Sequence, residues 1–316
     1  MSNKTAMIMV GPDGVGKTTL LATMYHELSG IENETSFELV ASKDTHHDLQ
    51  DAYNKLSTIT AQPTFTPTGS LLKGTAGIVE RQFKIWFNGN KELELVFCDI
   101  AGGLIRAEKG HPDMDEFKNK LEESVVIVNV IDGSALVEGD ELLFRRKNEP
   151  VQIHDLLLSP LINNKNRLLL FVITKCEAWL KNDKGRKKLE AAFETQYQII
   201  LKSIEGFENV VAVLIPVKTL GCVEFTRIET KGDEKEIIYV RKPNLLFQPV
   251  DTDQPLRYAI AFALAQHNKN RTVWDKLRRW VRNEEFAFQK ALSEFAQGHR
   301  RKFKIYGNPS LIEVTE

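Results

Sequence analysis

The octapeptide Gly11-Pro12-Asp13-Gly14-Val15-Gly16-Lys17-Thr18 constrains this chain more than any other stretch, because it satisfies G-x-x-x-x-G-K-[ST]. Chance yields that pattern in roughly one per cent of chains this long. It carries meaning only between a strand and a helix, and the flanks comply. Residues 6–10 are a short apolar run that stops at Gly11, and residues 19–29 place Leu20, Leu21, Met24, Tyr25 and Leu28 at helical spacing before Gly30. The glycines let successive backbone N–H groups turn toward a β-phosphate, and the helix N-terminus adds a partial positive charge. Gly11, Asp13, Gly14, Val15, Gly16, Lys17, Thr18 and Thr19 are therefore the candidate nucleotide cradle. Lys17 is placed to bridge β- and γ-phosphates, and the Thr18 hydroxyl to ligate Mg²⁺.

Around this unit the chain has material for one large α/β core, with 316 residues of which 42% are apolar and 27% charged. Residues 79–87 and 93–100 read as strands joined by Asn88-Gly89-Asn90, a strong hairpin signal, and form an antiparallel edge pair. Residues 125–131, 168–173 and 210–217 are rich in Val, Ile and Leu without alternation, as parallel strands buried on both faces are. Polar helical stretches at 114–122 and 186–204 separate them, which is the βαβ rhythm of a doubly wound sheet. The expected fold class is α/β: a mostly parallel sheet with one antiparallel edge strand, an inserted hairpin at about 219–250 around the turn 231–234, and a C-terminal helical extension. Residues 1–270 form the nucleotide-binding domain in this reading, and 271–316 pack on it as helices. Residues 32–73 read as a long polar connection with one helix near 48–56, and a connection of that length is usually functional.

Lys and Arg number 42 against 43 Asp and Glu, which leaves no global field to hold nucleic acid or an anionic membrane. Cys98, Cys176 and Cys222 lie far apart with no C-x-x-C pairing, as reduced thiols of a cytoplasmic protein do. No apolar run approaches the roughly 18 residues of a membrane span.

Two further motifs occur in the right order. Asp99-Ile100-Ala101-Gly102 ends an apolar strand with D-x-x-G, so Asp99 can hold the magnesium shell while the Gly102 N–H meets a γ-phosphate. Thr174-Lys175-Cys176-Glu177 follows the strand 168–173, at the edge where an open α/β sheet receives its ligand. Glu177 can accept from the N1–H and N2–H₂ edge of guanine, and Lys175 can lay its stem over the base. After the last strand, the backbone of Val217 and Lys218 is a candidate for the base oxygen. A threonine of the first switch must complete the metal shell ahead of the edge strand, and Thr68 and Thr75 both qualify.

These three motifs resemble those of Ras-like, translation-factor-class GTPases. More narrowly, the segment 9–25 and the turn Asp99-Ile100-Ala101-Gly102-Gly103 resemble the bacterial double-GTPase family. The resemblance implies GTP and GDP as ligands, Mg²⁺ as cofactor, and a partner protein, a second GTPase among the candidates, in prokaryotic conflict or signalling systems. The sequence also departs from the family pattern. Thr174 and Glu177 stand where Asn-Lys-x-Asp is usual, Gly103 stands where a water-orienting glutamine is found, and Asp13 puts a carboxylate in the phosphate loop. Arg106 is placed to reach back as an internal arginine finger, although a surface arginine is ordinarily solvated.

Asp44, His46, His47 and Asp48 read as a polar loop rather than a metal site. The aromatic and basic residues from Trp274 to Lys302 read as an amphipathic helix, with partner docking as the sharper alternative. Against the switch GTPase stand two rivals on the same loop: an ATPase or small-molecule kinase, and a binding module without turnover.

Overall fold

The computed structural model describes residues 4–29, 36–62, 72, 75, 77–106, 112–232, 234–269, 284–297 and 303–313. The apolar runs pair as their composition demands. Strands β1 (Lys4–Val10), β2 (Phe37–Ala41), β3 (Ile78–Phe87), β4 (Asn90–Ile100), β5 (Val126–Asp132), β6 (Arg167–Thr174), β7 (Val210–Pro216) and β10 (Lys304–Gly307) form one sheet in the order β10-β7-β6-β5-β1-β4-β3-β2. The five central strands, β4, β1, β5, β6 and β7, run parallel. β3 lies antiparallel against β4 across the turn of Asn88 and Gly89, both at positive φ as that hairpin requires. The strands β8 (Val223–Lys231) and β9 (Glu234–Arg241) make the separate inserted hairpin.

Helices cover both faces, because alternate residues of each central strand point to opposite sides. Met7 and Met9 face one cluster, built on α1 (Lys17–Leu28), α9 (Gln254–Lys269) and α10 (Glu284–Gln297). Ile8 and Val10 face the other, built on α3 (Pro112–Glu123), α6 (Pro150–Ile162), α7 (Asp183–Gln196) and α8 (Gln198–Glu205). Each fully buried Leu, Ile or Phe in these clusters contributes about 1.5–3 kcal/mol before its ordering cost. A third, smaller cluster joins Ala22 of α1, Leu56 of α2 (Lys43–Ala61), Leu72, Leu220, Cys222, Val223 and Tyr239, and ties the hairpin to the first helices. Arg167, fully buried at the start of β6, is sustained there because its guanidinium donates to the Glu122 and Ser124 carbonyls that end α3.

Five features depart from the sequence reading or add to it. Residues 37–41 are an edge strand, β2, antiparallel to β3, where only connection was expected; its inward residues are just Phe37 and Leu39, too short a pattern to stand out among polar neighbours. The helix near 48–56 extends over 43–61, started by Ser42, whose Oγ accepts from the Thr45 N–H. The stretch 186–204 is two helices that break at Tyr197. The tail adds a strand, β10, antiparallel to β7. Between β5 and α6 lie two short helices, α4 (Gly133–Glu138) and α5 (Glu141–Asn148), which place residues 133–149 along the C-terminal edge of the sheet. Of the amphipathic helix expected from Trp274 to Lys302, residues 274–283 and 298–302 lie outside the described residues. Among the described residues no helix is long and apolar enough to cross a membrane.

Candidate functional site

The C-terminal ends of β1, β4, β5 and β6 converge on the loop between β1 and α1. Gly11 admits no other residue: its φ is 154°, and an added Cβ would press on the Val130 carbonyl. Lys17 is buried, and its Nζ donates to the Gly11 carbonyl at 2.6 Å and the Pro12 carbonyl at 3.1 Å, so the ammonium is held inside the loop. Burial pushes the Lys17 pKa down, opposed by the charges of Asp99, Asp13 and Glu149. Asp13 and Gly14 are exposed at the loop tip, while Thr18 and Thr19 are half-buried in the first turn of α1.

Asp99 is wholly buried near the end of β4, in register with Met9 of β1. Its Oδ2 accepts from the Thr75 hydroxyl at 2.7 Å, and its Oδ1 has no hydrogen-bond partner among the described residues. Burial raises its pKa, against the Thr75 hydrogen bond and the charges of Lys17 and Arg81. Of the two candidate switch threonines, Thr75 is thus on the Asp99 carboxylate, and Thr68 lies outside the described residues. The oxygens of Thr18, Thr75 and Asp99 are the hard donors that Mg²⁺ takes, and the orphaned Oδ1 is a buried acceptor of the kind such an ion would satisfy. Gly102 packs directly on the phosphate loop, since a Cβ there would overlap the Asp13 backbone amide.

On the base side, the Thr174 hydroxyl donates to the Val15 carbonyl at 2.5 Å. Lys175, at φ 52°, donates from Nζ to the Gly14 carbonyl at 2.5 Å and to Asp132 Oδ2 at 2.8 Å, and sits 5.6 Å from the centre of the Tyr239 ring. Glu177 is buried, and its Oε1 accepts from the Leu220 N–H at 3.2 Å. Burial pushes its pKa up, with the Leu220 and Gly221 amides opposing.

The structure corrects the reading of Val217 and Lys218. The Val217 N–H donates to the Ile173 carbonyl, and Lys218 exchanges both backbone bonds with Val250. The sheet ladder continues one step past β7, so these amides are occupied, and the loop amides that turn toward Glu177 are those of Leu220 and Gly221.

Sequence reasoning also missed Asp132. It ends β5 fully buried, and its Oδ1 caps α4 by accepting from the Ser134 and Ala135 N–H groups while Oδ2 holds Lys175. An aspartate closing an apolar run just before Gly133 was the available signal. Asn148 accepts from the Asp132 N–H at 2.7 Å and donates to its carbonyl at 3.2 Å, pinning the α5–α6 junction to the end of β5. Arg106 is paired there with Glu149 rather than solvated alone.

A model of the family described as Double-GTPase 2 matches residues 7–211, which span the phosphate loop, Asp99–Gly102 and Thr174–Glu177. No curated protein matches the chain. Among solved structures, a similar one is the bacterial selenocysteine-specific elongation factor EF-Sec, at 14% identity and a TM-score of 0.31; the match covers 67% of this chain and 25% of that one. The chain thus spans about a quarter of that structure's length.

Proposed function

The chain belongs to the Double-GTPase 2 family, and on that premise we propose that it is a Mg²⁺-dependent GTPase switch of the cytoplasm. It hydrolyses GTP slowly and works with a partner protein, a second GTPase first among the candidates, in a bacterial signalling or conflict system. The observation that carries this reading is the joint between the two halves of the site. Thr174 and Lys175 donate to the carbonyls of Val15 and Gly14, so the base-side loop and the phosphate loop are held as one surface. A guanine lying over Lys175 would then have its phosphates on the amides of residues 13–18.

Lys17 neutralises charge on the β- and γ-phosphates, and the Gly102 N–H meets the γ-phosphate. Thr18, Asp99 and Thr75 would hold Mg²⁺, which supplies charge neutralisation on the phosphate oxygens. Loss of the γ-phosphate frees Gly102 and Thr75, and with them the segments on either side of the sheet edge, which is the switching event. Glu177 accepts from the guanine edge with lone pairs not engaged by Leu220.

The test is equilibrium titration of GTP and ATP with and without Mg²⁺, followed by single-turnover hydrolysis across a wide protein concentration range. Tighter GTP binding and a rate on the order of 10⁻⁴ to 10⁻² s⁻¹ that rises with concentration or partner are the expected results. Equal affinity for ATP would overturn the guanine assignment, and a rate above about 1 s⁻¹ at the lowest concentration would overturn the slow switch.

A further inference from the structure

Gly103 leaves the attacking water without a side chain from the D-x-x-G turn, and the fold brings a buried carboxylate to the same place from elsewhere. Glu149 is 3% exposed at the junction of α5 and α6, pinned through its neighbour Asn148 to the end of β5. Its backbone is left-handed, at φ 46° and ψ 50°, a conformation that strains a non-glycine residue and persists only where the surroundings enforce it. Although it occupies the position before the first turn of α6, its side chain makes no capping hydrogen bond to that helix. The carboxylate instead turns to Arg106, within electrostatic reach of Asp13 and Lys17 of the phosphate loop. Oε1 accepts from Arg106 Nε, on the turn that follows Gly102 and Gly103, and Arg106 Nη2 is held in turn by the Arg146 carbonyl at 2.7 Å. Oε2 has no hydrogen-bond partner among the described residues.

We propose that Glu149 is a catalytic residue of this site: its free oxygen accepts a hydrogen bond from the water that attacks the γ-phosphate, while Arg106 holds the carboxylate in register. The inference rests on the GTPase reading above. In the step it serves, the water oxygen bonds to the γ-phosphorus as the bond from that phosphorus to the bridging oxygen breaks, and the electron pair leaves with GDP. One water proton stays on the inorganic phosphate and the other passes to solvent, so Glu149 begins and ends as a carboxylate. The groups that face it are Arg106 from the turn after β4, Asp13 from the phosphate loop and Lys17 from α1. Burial and Asp13 raise its pKa, while Arg106 and Lys17 oppose. The ionised form is the stronger acceptor, and the protonated form can present its O–H to the water instead, so the hydrolysis rate falls on the acid side at a higher pH than an exposed carboxylate would give.

The experiment measures single-turnover GTP hydrolysis, its pH profile and GTP affinity, all with Mg²⁺, for the full chain and for Glu149→Ala, Glu149→Gln and the exposed control Arg145→Ala. Glu149→Ala lowers the rate about ten- to hundred-fold while GTP affinity stays within about three-fold. Glu149→Gln, whose amide oxygen still accepts but does not titrate, keeps an intermediate rate and loses the acid limb. Arg145→Ala changes neither. A folded Glu149→Ala that binds GTP and hydrolyses it at the wild-type rate overturns the inference and leaves the GTPase reading standing. Should the alanine variant not fold, a Glu149→Gln protein with the wild-type rate and acid limb overturns it as well. A wild-type chain that does not bind GTP overturns both.

Discussion

On the phosphate side, Lys17 at the start of α1 and Asp99 and Gly102 at and just after the end of β4 meet around the loop that follows β1, the neighbour of β4 in the sheet, and their contacts are short. On the base side, Thr174, Lys175 and Glu177 depend on partners brought from β5, the loop after β7 and the inserted hairpin, namely Asp132, Leu220 and Tyr239. The first half is backbone shape set by glycines and one lysine, which leaves little room for variation. The second is an assembly of groups from four segments. Binding strength should therefore reside in the phosphate half and ligand choice in the base half.

The largest effect falls on Lys17→Ala, which should weaken GTP binding by at least about a hundredfold, because its buried ammonium is the charge held inside the phosphate loop at the Gly11 and Pro12 carbonyls. Calorimetric titration of the folded variant checks this, and an unchanged affinity would remove the phosphate half from the comparison. Next comes Asp99→Ala, with a loss of about thirtyfold in Mg²⁺ and little in EDTA, since the carboxylate acts through the metal shell. An equal loss under both conditions would make Asp99 a structural residue. Glu177→Ala should leave GTP binding measurable but reduce the GTP-over-ATP preference by about tenfold, read by competition between the two nucleotides. If the preference survives, discrimination lies elsewhere on the base side. The smallest effect belongs to Tyr239→Ala: loss of the ring beside Lys175 should cost about threefold in affinity, with hydrolysis of bound GTP unaltered. A change in the hydrolysis rate instead would show that the hairpin reaches the phosphate half.

The same division governs what could be read before the structure. The octapeptide, the D-x-x-G turn and the central strands were legible because each is a run of neighbouring residues whose composition states its own conformation: glycines for positive φ, unbroken Val, Ile and Leu for strands covered on both faces. β2 and β10 were not legible, since the short edge strands, five and four residues long, are stabilised by the strand they join rather than by their own pattern. Val217 and Lys218 looked free because sequence does not show that the ladder runs on to Ile173 and Val250. Arg106 looked solvated because its carboxylate lies 43 residues away.

By itself, the sequence determined the strand-loop-helix that receives phosphate, the order of the motifs and the α/β class, because these follow from local backbone conformation and from burial on two faces. Only the tertiary structure decided that Thr75 lies on Asp99, that Asp132 and Asn148 lock the edge of β5, and that Glu149 is turned inward toward Arg106. Such pairings depend on where packed elements bring distant side chains, and a buried polar atom takes whichever partner the packing supplies.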